Sequence, residues 1–540
     1  MSYTSVALKP SVTARTPARW LARLRAHLAL TVATLTLVGA TAGLLLTHTQ
    51  TRLAVPRAAA IHAVLDNSAL QKTLGGLGWN RVAVAPMDGR YEEVDFYRGG
   101  RMVEEVTLAR TSRGLVLDAT DLATQRYAYG SDIANDGRVL AGLAILFVLM
   151  TAVWPLWRLR NLDCLVAAGT ALSVVFLNRW TLDRMVLASY PAMIYLALRC
   201  LCQGLAPPGC RLPVTPLYDH LTRGWPAEQR VRVLRVGVVA LALITAMVGF
   251  TSLHVLDVGY AVMEGATDVV HGVLPYGHIP DILHGDTYPI GSYLFYAPFA
   301  VFWPVHTAWD DADVTLVLAV LGALLVAFSA WRLTPRSPTS TTGLRMAIAV
   351  LAFPPLLVTV STGTTDVVLA AMLGLVLVLW RRPGWGGAVL SGAAWFKASP
   401  ILLAPLVLAR LRGSGVRRAL IAMIGVSVLM VGLLVALGGT AAPERMLSAM
   451  AFQFTRASPH TLWAMVGSVP LQQVAEALTL AVIAGAAVRL RRDDRLAEDR
   501  SRVAALAAAI LLGAQISASY WNYMYLVWAL PFLVPALLTS

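Results

Sequence analysis

The chain has 540 residues, of which 57% are hydrophobic and only 14% charged, with a formal net charge of +14. Soluble domains carry roughly a quarter charged residues, so this composition, with a mean hydropathy of +0.64, excludes an ordinary soluble enzyme and indicates many membrane spans. The positive charge does not point to nucleic acid, because the arginines lie in short clusters between apolar runs, where they act as cytoplasmic anchors.

In chain order, Arg15, Arg19, Arg23 and Arg25 precede an apolar run from about His27 to Leu46. This run exceeds a signal-peptide core, and "THTQTRLAVPR" after it offers no clear cleavage site, so it reads as an uncleaved helix. The stretch 49–138 stands apart as a small α+β insert. "RAAAIHAVLDNSALQKTL" has helical periodicity, and "RVAVAPM", "YEEVDFYRGGRMVEEVTLAR" and "GLVLDAT" read as strands, with a hairpin at Gly99-Gly100. One helix on a three- or four-stranded meander is expected. Further spans are predicted near 139–157, 163–178, 185–202, 236–256, 313–332, 344–361, 366–380, 385–399, 400–411, 418–437, 471–488, 503–518 and 521–538. With the first run this makes about 14 transmembrane helices in an all-α polytopic membrane protein.

Alternation through these spans puts every basic cluster on one side: Arg15–Arg25, Arg158/Arg160, Arg211–Arg235, Arg332–Arg345, Arg381/Arg382, Arg410–Arg418 and Arg489–Arg502. By the positive-inside rule that side is cytoplasmic, and both termini lie there. Between Arg235 and Arg332 there is no Lys or Arg. That acidic segment, and the insert, are expected outside. The expected divisions are therefore 1–48 (tail and first helix), 49–138 (extracytoplasmic insert), 139–235 (three spans and a basic loop) and 236–540 (a transmembrane module with a large outer loop, 257–312). The four cysteines, Cys164, Cys200, Cys202 and Cys210, have no standard zinc spacing and read as free thiols.

The loop 257–312 is too long and too aromatic for a simple connection, and long ordered loops are usually functional. "GSYLFYAPFAVFWPV" is too short and Pro-broken to span, and suits the interface. Asp257 opens this loop in "HVLDVGYA". A carboxylate at the lipid–water boundary can deprotonate an acceptor hydroxyl within hydrogen-bond reach; equally, it can cap a helix.

The order of "GYAVMEGA", "HGVLPYG" and "GDTYPIGSYLFYAPF" after that Asp resembles the first outer loop of the GT-C membrane glycosyltransferases. The resemblance is closest to the polyprenol-phosphate-sugar-dependent family 87, the α-mannosyltransferase-like group of actinobacteria. "LSGAAWFKASPILLAPLVLARLR" resembles the family's Lys-Pro hairpin, and "ISASYWNYMYLVWALPFLVPALL" its closing helices. The likeness spans about 236–538. "STGTTDVV", Ser361 to Val368, departs from it, standing where a Gln-Asn type pattern is expected. The resemblance implies a GT-C-like fold. It also implies transfer of a monosaccharide, mannose or arabinose, from a polyprenyl-phosphate donor to a glycan or glycolipid on the outer face. Asp257 would be the base.

A departing lipid phosphate needs positive charge. Lys397, Arg456 and Arg445 are the candidate donor-phosphate ligands, with snorkelling or a plain surface charge as their alternatives. His271, Tyr276, Asp286 and Tyr288 are candidate substrate or loop-shaping contacts, and Asp366 is a helix cap or an acceptor contact. No cofactor is firmly implied. A divalent cation would be sought at His278, His284 and Asp281, whose spacing matches no compact ligand motif. The rival class is a transporter or flippase for a lipid-linked cell-envelope precursor, which would carry ionisable residues deep in several spans.

Overall fold

The computed structural model describes residues 56–539, except 87–90, 100, 112–113, 123–131, 178–181, 207–213, 253–254, 280–284, 306–311, 335–339 and 456–460. The expected first span and its arginines lie outside the described residues, as do Cys210, Arg456, Asp281 and His284. Cys164, Cys200 and Cys202 are free thiols.

The insert begins with two helices, α1 (Arg57–Leu65) and α2 (Ser68–Leu77), where one was expected. The break falls at Asp66 and Asn67, residue types whose side chains compete with the helix for backbone groups. Four strands follow: β1 (Arg81–Pro86), β2 (Tyr91–Arg98), β3 (Arg101–Thr111) and β4 (Gly114–Leu122), antiparallel in the order β1-β2-β3-β4. Alternate residues point inward, so Val94 and Phe96 of β2 meet Val106 and Leu108 of β3 under Ala60, Val64, Leu70 and Leu74 of the helices. Arg98 pairs with Arg101 across the predicted Gly99-Gly100 turn, and Gly99 has φ +55°.

The rest is helical: α3 (Gly137–Thr151), α4 (Leu159–Phe176), α5 (Met185–Leu205), α6 (Ala227–Phe250), α7 (Asp257–Val270), α8 (Ile290–Ala300) and α9 (Val314–Arg332). Then come α10 (Thr342–Leu351), α11 (Pro354–Ser361), α12 (Asp366–Val378), α13 (Pro383–Phe396), α14 (Ala404–Arg410) and α15 (Ser414–Gly438). The last are α16 (Ala442–Thr455), α17 (Val469–Arg492), α18 (Arg500–Ser517) and α19 (Leu526–Thr539).

The count of about 14 spans is not confirmed among the described residues. Among the described residues six helices (α4, α5, α6, α9, α15 and α17) are long and apolar enough to cross a membrane, or seven if the bent pair α10–α11 is one span. The reason lies in the breaks. Pro354 and Pro355 start α11, which leaves α10 at 52°. At 13 and 14 residues, α12 and α13 reach only about 20 Å at 1.5 Å per residue, against a hydrocarbon core of about 30 Å. Such broken backbone is tolerated at membrane depth where protein surrounds it, and α11 and α12 are buried along nearly their whole lengths. α18, apolar on all sides, is packed between α5, α17 and α19. In contrast, α15 and α17 leave most of their apolar surface uncovered, as helices facing lipid do.

Candidate active site

Two helix beginnings meet. The chain enters α7 extended at Leu256, whose N–H donates to the Thr362 carbonyl at 3.0 Å. Thr362 belongs to the turn that delivers Asp366 to the start of α12. Gly363 makes this turn, with φ +63°, and a Cβ there would lie 2.7 Å from Thr315 Oγ1 and 2.9 Å from Val255 Cγ1. From the other side, a Cβ on Gly259 would lie 2.8 Å from the Gly363 carbonyl. Asp257 is half-buried in the first turn of α7, and its Oδ1 accepts from the Val258 N–H at 2.7 Å. Leu256, not Asp257, is the N-cap of α7, and no side chain caps this helix start. The Leu256–Thr362 bond sets the start of α7 beside the 361–366 turn.

Asp366 is 1% exposed and lies at the centre of a polar cluster. Its Oδ1 accepts from Lys397 Nζ at 2.6 Å and from Trp528 Nε1 at 2.8 Å. Lys397 ends α13 in an extended conformation, which swings it out of the helix. Its ammonium lies 5.2 Å from the ring centroids of Tyr525 and of Trp528, which stack on each other at 4.3 Å. The Ser292 hydroxyl of α8 donates to the Phe396 carbonyl, fixing the hairpin just before Lys397. Tyr296 and Tyr523 are fully buried and close enough to Asp366 to feel its charge. Their hydroxyls, and those of Thr364 and Thr365, have no hydrogen-bond partner among the described residues.

Other predicted residues are placed differently. Asp286 Oδ2 accepts from the Gly277 N–H at 2.8 Å, and the Tyr276 hydroxyl donates to the Tyr288 carbonyl at 3.0 Å. These three residues therefore shape the loop. Gln453 of α16 donates to Thr287 Oγ1 at 2.6 Å and docks that loop. Arg445 is exposed on α16, whose Ala442 and Met446 pack on Leu274 and Tyr276. His271 and His278 flank Asp268, which shares a face of α7 with Asp257 and Glu264. Burial pushes the Asp268 carboxyl above its ordinary range, while the two histidines pull it down. Among the described residues no group of three or more His, Cys, Asp or Glu is gathered to hold a metal ion.

Sequence reasoning named Asp366 and Lys397 singly but missed their pairing, 31 residues apart. It also missed Trp528, Tyr525, Tyr523 and Tyr296. The aromatic density of "YWNYMYLVW" was the available signal.

No curated protein and no solved structure matches the chain. Residues 287–518 match the family model described as Glycosyltransferase family 87. The matched segment holds Asp366 and Lys397; Asp257 precedes it. The family likeness drawn from the sequence is thereby borne out over that segment, which is similar to the membrane glycosyltransferases of family 87.

Proposed function

We propose that the chain transfers a monosaccharide, mannose or arabinose, from a polyprenyl-phosphate donor to a glycan or glycolipid acceptor at the outer membrane face. The observation that carries this reading is the junction of Leu256 with Thr362, which brings a half-buried carboxylate to the turn that leads to a buried cation. Asp257 takes the proton of the acceptor hydroxyl, and the acceptor oxygen attacks the anomeric carbon. The bond from that carbon to the phosphate oxygen breaks, and the lipid phosphate leaves with the electron pair. A single-carboxylate displacement of this kind inverts the anomeric centre. Lys397, on the rim of aromatic rings and shared with Asp366, is the described cation suited to the growing phosphate charge. Helix direction supports the sidedness: α12 starts at Asp366, beside the start of α7, and runs toward Arg381 and Arg382, while α9 runs from Val314, after the outer loop, to Arg332.

The test is transfer of radiolabelled sugar from polyprenyl-phosphate donors in membranes that carry wild type or Asp257→Asn at matched protein level. Transfer by wild type and its loss in the near-isosteric variant is the expected result. Equal transfer by both would remove Asp257 from the chemistry. The bent pair α10–α11 and the half-length helices are also features of transporters. Absence of transfer with every donor would therefore lead to a lipid-flipping assay.

A further inference from the structure

α8 is anchored at its start and bare at its end. A Cβ on Gly291 would lie 2.5 Å from the Trp395 carbonyl oxygen, and the Ser292 hydroxyl donates to the Phe396 carbonyl, so the helix begins against the Lys397 hairpin. One turn on, Phe295 meets the Phe396 ring edge-on at 5.4 Å between centroids, and Tyr296 stacks on it at 6.2 Å. Past the helix end, the Val305 N–H donates to Thr267 Oγ1 of α7 at 3.1 Å. Between these fixed points Val301, Phe302 and Trp303 are 58%, 75% and 59% exposed. Their backbone is ordered: the Val301 N–H donates to the Ala297 carbonyl at 3.2 Å, and those of Phe302 and Trp303 to the Phe299 carbonyl at 3.0 and 2.9 Å.

Three consecutive large apolar side chains held out in this way call for a partner. Length and charge select it. With 11 residues, α8 reaches only about 17 Å at 1.5 Å per residue, too short to cross a hydrocarbon core of about 30 Å. Residues 287–309 contain no Asp, Glu, Lys or Arg. Protein-binding patches carry a polar rim, and the chain on either side of this tip supplies no charged residue for one. Tryptophan beside aliphatic and aromatic neighbours suits the membrane–water boundary. The bilayer is also at hand, because α9, the next helix, leaves Val317, Leu321 and Phe328 exposed along one face.

We propose that Val301, Phe302 and Trp303 form an interfacial foot seated in the outer leaflet, just below the lipid headgroups. α8 transmits the height of that foot to α7 and to the Lys397 hairpin, through Thr267 and Phe396. With no basic residue beside it, the foot needs no anionic lipid. The lipid contact is independent of the transfer reading; the height-setting role rests on it.

The contact is tested with spin labels on the full chain in phosphatidylcholine vesicles, one at a time at Phe302→Cys, Trp303→Cys and His278→Cys, the last an exposed position in the same loop. Cys202→Ser and Cys210→Ser are made first; Cys164 and Cys200 are buried and stay. Relaxation by oxygen, which concentrates in lipid, is expected to exceed relaxation by a water-soluble nickel chelate at 302 and 303, with the reverse at 278. Nickel access at 302 and 303 equal to that at 278 would place the tip in water and overturn the proposal. Protection from both reagents would seat the tip in a protein partner and overturn it as well. The height-setting role is tested with Phe302→Ser and Trp303→Ser combined. Both side chains are exposed, so thermal unfolding in detergent should match wild type, while KM for a long-chain polyprenyl-phosphate donor should rise several-fold at unchanged kcat. An unchanged KM would overturn that role. Absence of transfer by wild type itself would count against the transfer reading, and the spin labels would still decide the foot.

Discussion

Asp366 and Lys397 show how much of a site is written in single residues and how much in their meeting. Each was conspicuous in the sequence as an ionisable group in an apolar setting. Their contact was not, because nothing in local spacing relates the start of one helix to the end of another. In the folded chain they neutralise each other with side-chain exposures of 1% and 11%. Removing one partner strands the other as a buried charge, which typically costs about 3–5 kcal/mol. Asp366→Asn and Lys397→Met should each lower the unfolding temperature strongly, and the double variant should lose less than the sum, as a thermodynamic cycle in detergent would report. The hydroxyls of Tyr296 and Tyr523 invite the opposite test. A buried hydroxyl without a partner costs about 1–3 kcal/mol, so Tyr523→Phe should leave stability unchanged or raise it; a simultaneous rise in KM for the donor would mark the hydroxyl as a substrate contact. Asp268 makes a pH prediction. Its carboxyl is raised by burial, so the folded chain binds that proton more tightly than the unfolded chain. Its contribution to stability is therefore greatest in acid and falls as pH rises from the ordinary carboxylate range through the raised pKa. Asp268→Asn should flatten that part of the stability–pH curve.

At the level of elements, apolar run length located the helices, but the count of spans drawn from it is not confirmed among the described residues. The run near 344–361 is broken at Pro354-Pro355, and those near 366–380 and 385–399 are bounded by the Gly363 turn and by the extended Lys397, so that the pieces end inside the protein. Those cuts are where the candidate site sits. Hydropathy cannot distinguish a broken helix wrapped in other helices from a whole one wrapped in lipid, since both present apolar side chains. The insert was more legible because strand alternation and a two-glycine turn are local signals; only the break at Asp66 and Asn67 was missed. The Gly363 turn carries a direct test. Alanine there would adopt a left-handed backbone conformation, at roughly 1–2 kcal/mol. Its Cβ would also press on Thr315 and Val255, at 2.7 and 2.9 Å. Gly363→Ala is therefore expected to destabilise the chain by more than the conformational cost alone. It should also reduce sugar transfer with every ionisable side chain of the site left in place, because it separates the starts of α7 and α12.

For the molecule as a whole, the question is which surface meets lipid. α18 and α19 are buried at the centre, and α9 is largely covered, so their apolar residues are explained by packing. α15 is not: it is 25 residues long, has the highest mean hydropathy of the candidate spans at 2.8, and only 6% of its most apolar window is buried. In water so large an exposed apolar face would drive association; in a bilayer it is the face that lipid solvates. The two settings predict different responses to one substitution. Val428 lies near the middle of α15 and is 65% exposed. On a water-facing helix Val428→Arg would be within about 0.5 kcal/mol of neutral. At the centre of a spanning helix an arginine costs about 2.5–3.5 kcal/mol on insertion scales. Val428→Arg should therefore lower the fraction of chains integrated in membranes, measured by resistance to alkaline extraction. Arg at 418, already near the start of the same helix, should tolerate exchange to Gln with no such loss, because its long side chain reaches the interface. Equal integration of Val428→Arg and wild type would mean that α15 does not span.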